Sequence, residues 1–510
     1  MNTTPEAVAV QRSTPTTTPT HIPIRTLTTW KIIVLIIGAM TPLAVVVGTV
    51  PLGFAFGGPS MTVMFIVAGI VIGLFCVGYS QMVRRITRPG AFYNYIARGL
   101  GRPAGVGAAI TGSLGYIAGF TGAAAIQGFI THEAVLALTG ADIPWWVFHI
   151  VQLAIVGVLV WRQIDLSAYL VSIIVVVEVL LLLALSISII GHEGVGAALP
   201  LDVFSPDAFT IGAWSVAFIF AILTFQGYES AALYAPEAKR PEKTIPRALY
   251  GALGILVVIL VFATWTLTSI TGIETLSETV LEQGLSGFVF GAVATYLGPV
   301  GLVLFTVASI LATLAVTITI ANFMSRYLNS VSREGLLPGY LSRVNRHGAP
   351  HTAQLTLLGL GTLVPIVVFL LGMDPYTQLS SVMFGIGAIV ATLMQGLASA
   401  SVVAFFLRRR NGRTNVWTQT VVPVIATLLL GAALIVQLMG YQWITGIDAS
   451  WTMVLPALVF VVLIGGILFG FWLRKGRPEI YDDISAGDNS EEAAAIRDAR
   501  IARTAGIELP

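Results

Sequence analysis

The distribution of charged residues constrains this chain more than any other feature of its sequence. The chain contains 27 Lys and Arg residues and 25 Asp and Glu residues. Of these charged residues, only Glu178 and Glu229 lie inside a long apolar stretch, away from the ends of that stretch. Charged residues make up 10% of the chain and hydrophobic residues 56%, whereas about 25% of a typical soluble domain is charged. A soluble core has no room for this much apolar sequence, so we expect an all-α integral membrane protein.

The apolar residues fall into twelve stretches that are long enough for transmembrane helices. A membrane-spanning helix needs about 20 apolar residues at a rise of about 1.5 Å per residue. The eighth stretch exceeds a single crossing, and we expect its last turns, from about Asn322, to extend into the cytoplasm. The predicted spans lie near residues 32–56, 61–83, 104–131, 144–161, 167–190, 213–234, 247–271, 287–330, 353–372, 377–407, 418–440 and 451–473.

Positive charges are confined to one set of the loops between these spans. The opposite loops contain acidic residues and His but no Lys or Arg. Because Lys and Arg accumulate in cytoplasmic loops, we expect a multi-pass protein of the plasma membrane with both termini in the cytoplasm. The positively charged segments are 84–102, 162, 239–247, 326–346, 408–413 and 474–477.

The two ends of the chain differ in composition from the apolar part. Residues 1–30 are rich in Thr and Pro and lack a signal-peptide pattern, which predicts a disordered cytoplasmic tail. Residues 476–510 are polar and predict a second cytoplasmic tail. Between the tails we expect a core of ten spans over residues 31–410, followed by two additional spans over residues 411–475.

Two of the spans contain residues that interrupt helices. The first contains Pro42 and Gly48, and the sixth contains Gln226 and Gly227. Secondary transporters are often built from inverted repeats whose broken helices meet near the middle of the bilayer. Spans one and six would occupy corresponding positions in two repeats of five spans. The alternative is that both helices are merely kinked, since Gly and Pro are common in membrane helices.

Three groups of short motifs follow one another in the positively charged loops and the sixth span. In this order and at these places, they resemble the amino acid–polyamine–organocation (APC) superfamily of transporters over about residues 30–410. The resemblance implies a LeuT-type fold of five plus five spans in an inverted repeat, at about 31–191 and 211–410. The motifs are Gly90-Ala-Phe-Tyr-Asn-Tyr95; Phe225-Gln-Gly-Tyr-Glu-Ser-Ala231 with Glu237-Ala-Lys-Arg-Pro241 and Ile245-Pro-Arg-Ala248; and Ser332-Arg-Glu-Gly-Leu-Leu-Pro338 through Gly348-Ala-Pro350.

The resemblance also implies that the first span binds substrate. In related transporters this span unwinds at a Gly-x-Gly motif, and its free backbone amides bind a carboxylate at the N-terminus of a half-helix. The positions that match the motif carry no glycine here, so a neighbouring Pro42 or Gly48 would have to break the helix. From this segment we predict substrate contacts by Pro42, Ala44, Val45, Val46, Val47 and Gly48.

The resemblance places the unwound part of the sixth span at Phe225, Gln226 and Gly227, whose free carbonyl groups would accept hydrogen bonds from a substrate ammonium group. Glu229 matches a position that acts as a proton-responsive gate in relatives. A carboxyl group inside the membrane also favours its neutral form, which suits it to proton exchange near neutral pH. The alternative is a Glu that is neutralised by hydrogen bonds and stabilises the broken helix.

Glu178 lies midway along the fifth span, and the resemblance implies a cation, or its substitute, between spans one, five and eight. We therefore predict that Glu178 is a second proton-coupling residue, with the equal alternative of a protonated Glu bonded to the backbone of span one. In the eighth span, Thr313, Thr317 and Ile320 recur on one helical face and are predicted to contact substrate or cation. Tyr116 of the third span is predicted to contribute an aromatic gate.

These features favour a secondary active transporter over an enzyme. The sequence contains no Walker motif and no recognisable metal-ligand spacing, so we expect no cofactor and no metal. We predict proton-coupled import of an amino acid, neutral or hydrophobic, by a monomer or homodimer in the lipid bilayer, with no nucleic-acid partner. Three alternatives stay open: an amino acid or amine exchanger, a polyamine or organocation transporter, and a nutrient sensor that does not transport. Sodium coupling also stays open, because Na⁺ sites need only carbonyl and hydroxyl oxygens.

Overall fold

A computed structural model describes residues 27–83, 92–162, 168–209, 213–228, 231, 238–346, 348–408, 415–444 and 453–484. The regular structure in these ranges is helical, apart from an isolated bridge between Leu27 and Ala238. The chain is therefore all-α, as its apolar stretches predict.

The longer helices can be numbered in chain order. They are α1 (Thr29–Met40), α2 (Val50–Gly57), α3 (Met61–Val83), α4 (Phe92–Leu100), α5 (Arg102–Thr139), α6 (Trp145–Trp161), α7 (Ala168–Glu193), α8 (Trp214–Thr224), α9 (Pro241–Ser269), α10 (Leu276–Glu282), α11 (Leu285–Arg333), α12 (His351–Leu370), α13 (Ser381–Arg408), α14 (Val422–Gly440), α15 (Val454–Gly476) and α16 (Pro478–Asp483).

Shorter helical segments connect these elements. Two are single α-helical turns, at Pro42–Ala44 and Val195–Ala198. Five are 3₁₀ turns, at Gly58–Ser60, Leu201–Phe204, Pro206–Phe209, Gly339–Ser342 and Tyr441–Trp443. Three are π-helical, at Val45–Thr49, Pro375–Ser380 and Trp417–Val421.

Nine helical stretches of the described residues are long and apolar enough to cross a membrane. The first of them, Thr29–Val83, is 55 residues long and includes the first two predicted spans. The fourth and sixth predicted spans correspond to the shorter apolar helices Trp145–Trp161 and Trp214–Thr224. Together these helices make the chain a multi-pass membrane protein.

The longest helix, α11, is bent near its N-terminal end. Gly298 has a φ of 67° and is followed by Pro299, which has no N–H group to continue the helical hydrogen bonds. The kink at Gly298 thus divides the helix of the eighth predicted span into a short part, residues 285–297, and a longer part that follows.

The helix α5 lies at the centre of the fold and packs against α11, α13 and α15. Glycines on α5 allow this close approach. A Cβ atom at Gly112 would lie 2.6 Å from the Tyr327 hydroxyl oxygen of α11, and one at Gly122 would lie 2.8 Å from Phe384 of α13. Side chains of α5 and α11 therefore face one another across a narrow space.

In two connecting segments, 88–102 and 332–350, the sequence predicts short helices on the surface, and the structure differs from both predictions in part. A helix does form within 88–102, as its amphipathic pattern predicts, at Phe92–Leu100. It does not lie on the surface, because α4 is inserted between α5 and α13, and Tyr93, Tyr95 and Ile96 are almost fully buried. Asn94, the polar residue near its centre, is buried with them, so little of either face is left to water. The second predicted surface helix, within 332–350, is only a 3₁₀ turn at Gly339–Ser342, because Gly335 turns the chain with a φ of 78° after α11 ends.

Candidate functional site

The first span is broken at Thr41. This residue has a φ of 45°, the only positive value among the described residues other than glycine. Its N–H group closes α1 on Ile37 O at 2.8 Å, and its hydroxyl group donates to Gly38 O at 3.1 Å. A proline disfavours helical geometry in the residue before it and lacks an N–H donor. Pro42 therefore explains why α1 ends here, and the break lies at the first of the two predicted candidates, Pro42 rather than Gly48.

The sixth span is also interrupted, and its break lies beside the end of α1. The helix α8 ends at Thr224, and Gly227 then takes a φ of 107°, which side chains disfavour. A Cβ atom at Gly227 would lie 3.5 Å from Ala39 O. The Gln226 side chain extends towards α13, where its Nε2 donates to Gly387 O at 3.0 Å. Glu229 lies outside the described residues.

The break in the first span leaves backbone N–H groups at the start of a new helical segment. Val45 N donates to Thr41 O at 3.2 Å, and Leu43 N donates to Glu178 Oε2 at 3.4 Å. The side chain of Thr41 makes no capping hydrogen bond to this segment, and Ala44 N is one of the first N–H groups of a helix, which have no partner within it. The N-terminus of a helix carries partial positive charge. Ala44 N is thus an available donor where an anionic group is favoured.

Glu178 reaches this N-terminus from the neighbouring helix α7. The residue is 0% exposed, and Leu43 N is its hydrogen-bond donor. Among the described residues, its second carboxyl oxygen, Oε1, has no hydrogen-bond partner. The carboxyl group is therefore placed where a change in its charge acts directly on the broken helix.

A cavity of about 130 Å³ lies next to the two breaks. It is bordered by residues of α1, the segment 42–49, α5, α8, α11 and α13. The predicted site residues at its wall are Ala44, Val45, Gln226, Thr313, Thr317 and Ile320. The wall also includes Ala39, Met40, Thr49, Gly119, Ala123, Ile126, Gln127, Ile130, Leu223, Thr224, Val316, Met324 and Phe384.

Other predicted site residues lie outside this wall. Val46 and Val47 are fully buried, Phe225 packs edge-on against Phe65, and neither Pro42 nor Gly227 borders the cavity. Gly48 lies in the π-helical turn Val45–Thr49, whose carbonyl groups accept hydrogen bonds from neighbouring elements. Val47 O accepts from the Ser286 hydroxyl at 2.8 Å, and Gly48 O accepts from the Tyr376 hydroxyl at 3.0 Å.

Tyr116 lines a second, smaller cavity of about 30 Å³, which Gln226 also borders. This cavity lies nearer the Arg102 end of α5. There Tyr116 forms aromatic contacts with Phe323 and Tyr327, at ring-centroid distances of 5.2 and 4.7 Å. Gln226 therefore separates the two cavities, with Tyr116 on the side of the arginine-rich loops.

Gln127 of α5 is a polar residue of the larger cavity that the sequence analysis missed. It is 2% exposed, and its Oε1 accepts from the Thr317 hydroxyl at 3.0 Å. Among the described residues, its Nε2 has no hydrogen-bond partner. Gln127 is the only amide side chain in the apolar stretch 104–131, and this was the available signal. An unpaired buried donor is costly, so a bound acceptor would be favoured here.

The wall of the larger cavity is mainly apolar, and its described residues include no charged side chain. Its polar groups are amides and hydroxyls. The Thr313 hydroxyl donates to Ile310 O at 3.0 Å, and the Thr317 hydroxyl donates to Thr313 O at 2.7 Å as well as to Gln127. The Thr319 hydroxyl, by contrast, donates to Ala315 O of its own helix at 2.9 Å. Such a wall suits a neutral, largely apolar molecule.

Comparisons with known proteins identify the family of this chain. A family model described as amino acid permease matches residues 27–483. The branched-chain amino acid permease BcaP of Lactococcus lactis subsp. cremoris (strain MG1363) is 25% identical over 386 residues, covering 70% of this chain and 76% of that protein. BcaP of Bacillus subtilis (strain 168) is 22% identical over 476 residues, covering 86% of this chain and 91% of that protein. The family match confirms the resemblance seen in the motifs. The chain therefore belongs to the amino acid permeases of the APC superfamily, a family of transporters rather than of enzymes.

Proposed function

We propose that this protein imports a neutral, aliphatic amino acid across the plasma membrane by proton symport, with alternating access to one central site. The observation that carries the proposal is the meeting of two broken helices, at Thr41 and at Gly227, beside an apolar cavity. Broken helices near the bilayer midplane form the substrate sites of secondary transporters. Within this proposal the chain has twelve spans with both termini in the cytoplasm. Spans one to ten form a LeuT-type inverted repeat, and spans eleven and twelve are appended.

The substrate carboxylate would bind at the N-terminus of the segment that starts with Pro42. Ala44 N is an available donor there, and Ala44 borders the cavity. The helix dipole favours an anion at this point. The substrate ammonium group would face the C-terminal carbonyl groups of α1, near Ala39 and Met40, which also border the cavity. These two ends of one interrupted span present opposite partial charges, as a zwitterion requires.

The substrate side chain would occupy the apolar part of the cavity. A cavity of about 150 Å³ lined by aliphatic side chains is large enough to bind benzene, and the cavity here measures about 130 Å³. Ile126, Ile130 and Ile320 form part of its wall. The names of both related permeases refer to branched-chain amino acids. We therefore place leucine, isoleucine and valine first among the candidates. A polyamine fits less well, because two or more positive charges would need acidic side chains in the wall.

Proton coupling would use Glu178, together with Glu229. A proton on Glu178 removes a negative charge from the helix N-terminus that also binds the substrate carboxylate. Protonation would then favour the bound anion, because two negative charges compete for one positive helix end. This thermodynamic link between proton and substrate is the requirement for symport. Sodium remains the alternative coupling ion, through the hydroxyl groups of α11.

Uptake into proteoliposomes tests this function directly. Radiolabelled leucine, isoleucine and valine would be offered with an inward proton gradient, with and without a protonophore, and in the presence or absence of sodium. We expect accumulation that the protonophore abolishes and that does not need sodium. Uptake that persists with the protonophore would favour exchange or sodium coupling. Binding without uptake would favour a sensor.

A further inference from the structure

A groove on the outside of the protein, between α6 and α12, lies apart from the substrate site. Its volume is about 490 Å³. The floor is apolar and includes Gly157 and Val158 of α6 with Leu355 and Leu358 of α12. Gly157 and Val158 belong to a membrane-facing stripe of α6, and Val158 and Leu355 are more than half exposed. We refer to it as the α6–α12 groove. It has the shape and chemistry of a binding site for a hydrocarbon chain.

One end of the groove is positively charged. Arg162, directly after α6, and Arg346, shortly before α12, both border it and are both exposed. Trp161 stands beside them with 41% of its side chain exposed. Arginine and tryptophan at the end of a membrane helix mark the level of the lipid head groups. The charged side chains that line the groove in the described part of the chain are these two arginines, and guanidinium groups favour an anion at this end.

A buried polar atom at the same end has no partner. Gln354 borders the groove, is 2% exposed, and donates through Nε2 to Val160 O at 3.2 Å. Its Oε1 accepts no hydrogen bond from any described residue. An acceptor without a partner at a buried position is costly. It would be satisfied by a ligand that carries a hydroxyl donor as well as a negative charge.

The length of α6 brings the head-group region close to this end. Its 17 residues extend about 25 Å at 1.5 Å per residue, which is less than the hydrocarbon thickness of about 30 Å. A helix that is too short is accommodated by local thinning of the bilayer. Head groups are then drawn towards Trp161 and Arg162.

From these observations we propose that the α6–α12 groove binds an anionic glycerophospholipid with hydroxyl groups on its head group, of the phosphatidylglycerol type. The phosphate lies between Arg162 and Arg346, a head-group hydroxyl donates to Gln354 Oε1, and one acyl chain follows Val158, Leu355 and Leu358. The site is separate from the substrate cavity and does not depend on the transported molecule.

Native mass spectrometry of the full-length protein in detergent can test this site. The lipids compared are phosphatidylglycerol, the zwitterionic phosphatidylcholine and phosphatidic acid, which is anionic but lacks the glycerol hydroxyls of the phosphatidylglycerol head group. We expect phosphatidylglycerol to bind most tightly. The double substitution Arg162→Gln/Arg346→Gln should weaken it by about thirtyfold, since each basic residue near a membrane surface contributes about 1 kcal/mol.

A matched control removes two other positive charges. Arg474→Gln/Lys475→Gln changes exposed residues at the end of α15 and should leave phosphatidylglycerol binding unchanged. Gly157→Leu tests the groove without changing charge, because a Cβ atom there would already lie 3.4 Å from Leu358 Cδ1. We expect it to displace the lipid while the melting temperature stays close to that of the wild type.

Three results would overturn the proposal. Equal binding of phosphatidylcholine would indicate ordinary boundary lipid. An equal loss in the Arg474/Lys475 control would indicate a general effect of net charge. Full competition by soluble glycerol phosphate would show that the arginines recognise a free phosphate ester rather than a lipid.

Discussion

The Glu178 carboxylate accepts a hydrogen bond from Leu43 N at 3.4 Å, and so joins the middle of α7 to the start of the half-helix that follows Pro42. The same half-helix offers Ala44 N to the cavity. The N–H group that Glu178 binds and the N–H group that faces the cavity thus belong to adjacent residues, Leu43 and Ala44, of one helix end. This adjacency is a physical route by which protonation and substrate binding can influence each other.

Replacing Glu178 with Gln should remove the response of uptake to a proton gradient. The amide keeps an acceptor for Leu43 N but can no longer change its charge. A gradient of one pH unit supplies about 1.4 kcal/mol per proton, or about tenfold accumulation, and the variant should lose this factor. The measurement is leucine accumulation in proteoliposomes at several gradients. Glu274→Gln, in a loop predicted to face the opposite side, is the control. A variant that kept the wild-type gradient dependence would exclude Glu178 as the coupling group.

Replacing Gln127 with Leu should change the choice between threonine and valine. These amino acids have nearly the same shape but differ in one hydroxyl group, and Gln127 Nε2 has no partner among the described residues. A net hydrogen bond contributes about 1 kcal/mol, so we expect the threonine-to-valine ratio of uptake efficiency to fall by about fivefold. Thr319→Val is the control, because Thr319 bonds only to its own helix. An unchanged ratio in the Gln127 variant would show that this amide does not contact the substrate side chain.

Gly227→Ala should lower both stability and uptake. At a φ of 107° a side chain is strained, and the new Cβ atom would lie near Ala39 O. We expect a loss of about 1–2 kcal/mol, measured as a lower melting temperature in detergent. Gly359→Ala, in a regular part of α12 with no atom within 4 Å of the added Cβ, should cause no loss. If both variants behaved alike, the break at Gly227 would not require glycine.

Tyr376→Phe should weaken the contact between the π-helical turn at Val45–Thr49 and the residues that hydrogen-bond to it. The Tyr376 hydroxyl donates to Gly48 O and lies 3.0 Å from the Ser286 hydroxyl, which itself donates to Val47 O. An unpaired buried carbonyl costs about 1–3 kcal/mol, so the turn should separate from its neighbours more often and open the cavity.

Thiol labelling can detect this opening. In a Cys76→Ser background, Thr49→Cys would place a single thiol at the cavity wall, and a membrane-impermeant maleimide would report its access. We expect labelling at least about fivefold faster with Tyr376→Phe, and no change with Tyr340→Phe, where the ring is 47% exposed. Equal rates in all three proteins would mean that Tyr376 does not hold the cavity closed.

Much of the fold could be predicted from the sequence, because membrane helices require long apolar stretches and the chain has few charges. The interruption at Pro42 was also predictable, since proline constrains the backbone locally. For Glu178, a bond to the backbone of span one was one of the two predicted alternatives, and the hydrogen bond from Leu43 N is such a contact. Its exact partner could not be predicted, because Leu43 is 135 residues away. Gln127 was missed for a similar reason, since its importance depends on Thr317 of another helix. The burial of α4 depends on packing between α5 and α13, which no local pattern encodes.

The π-helical turn at Val45–Thr49 has a consequence for how relatives are compared with this chain. A π-bulge accommodates one residue more than the corresponding α-helical turn, so side chains beyond it point about 100° away from their positions in a continuous helix. A relative without the bulge would therefore need a one-residue gap in this segment to be aligned correctly. An ungapped alignment would assign the contacts of Val45 and Thr49 to the wrong neighbours. Site residues in the first span are therefore better matched between these proteins by superposing their structures at the break at Thr41 than by counting residues along the sequence.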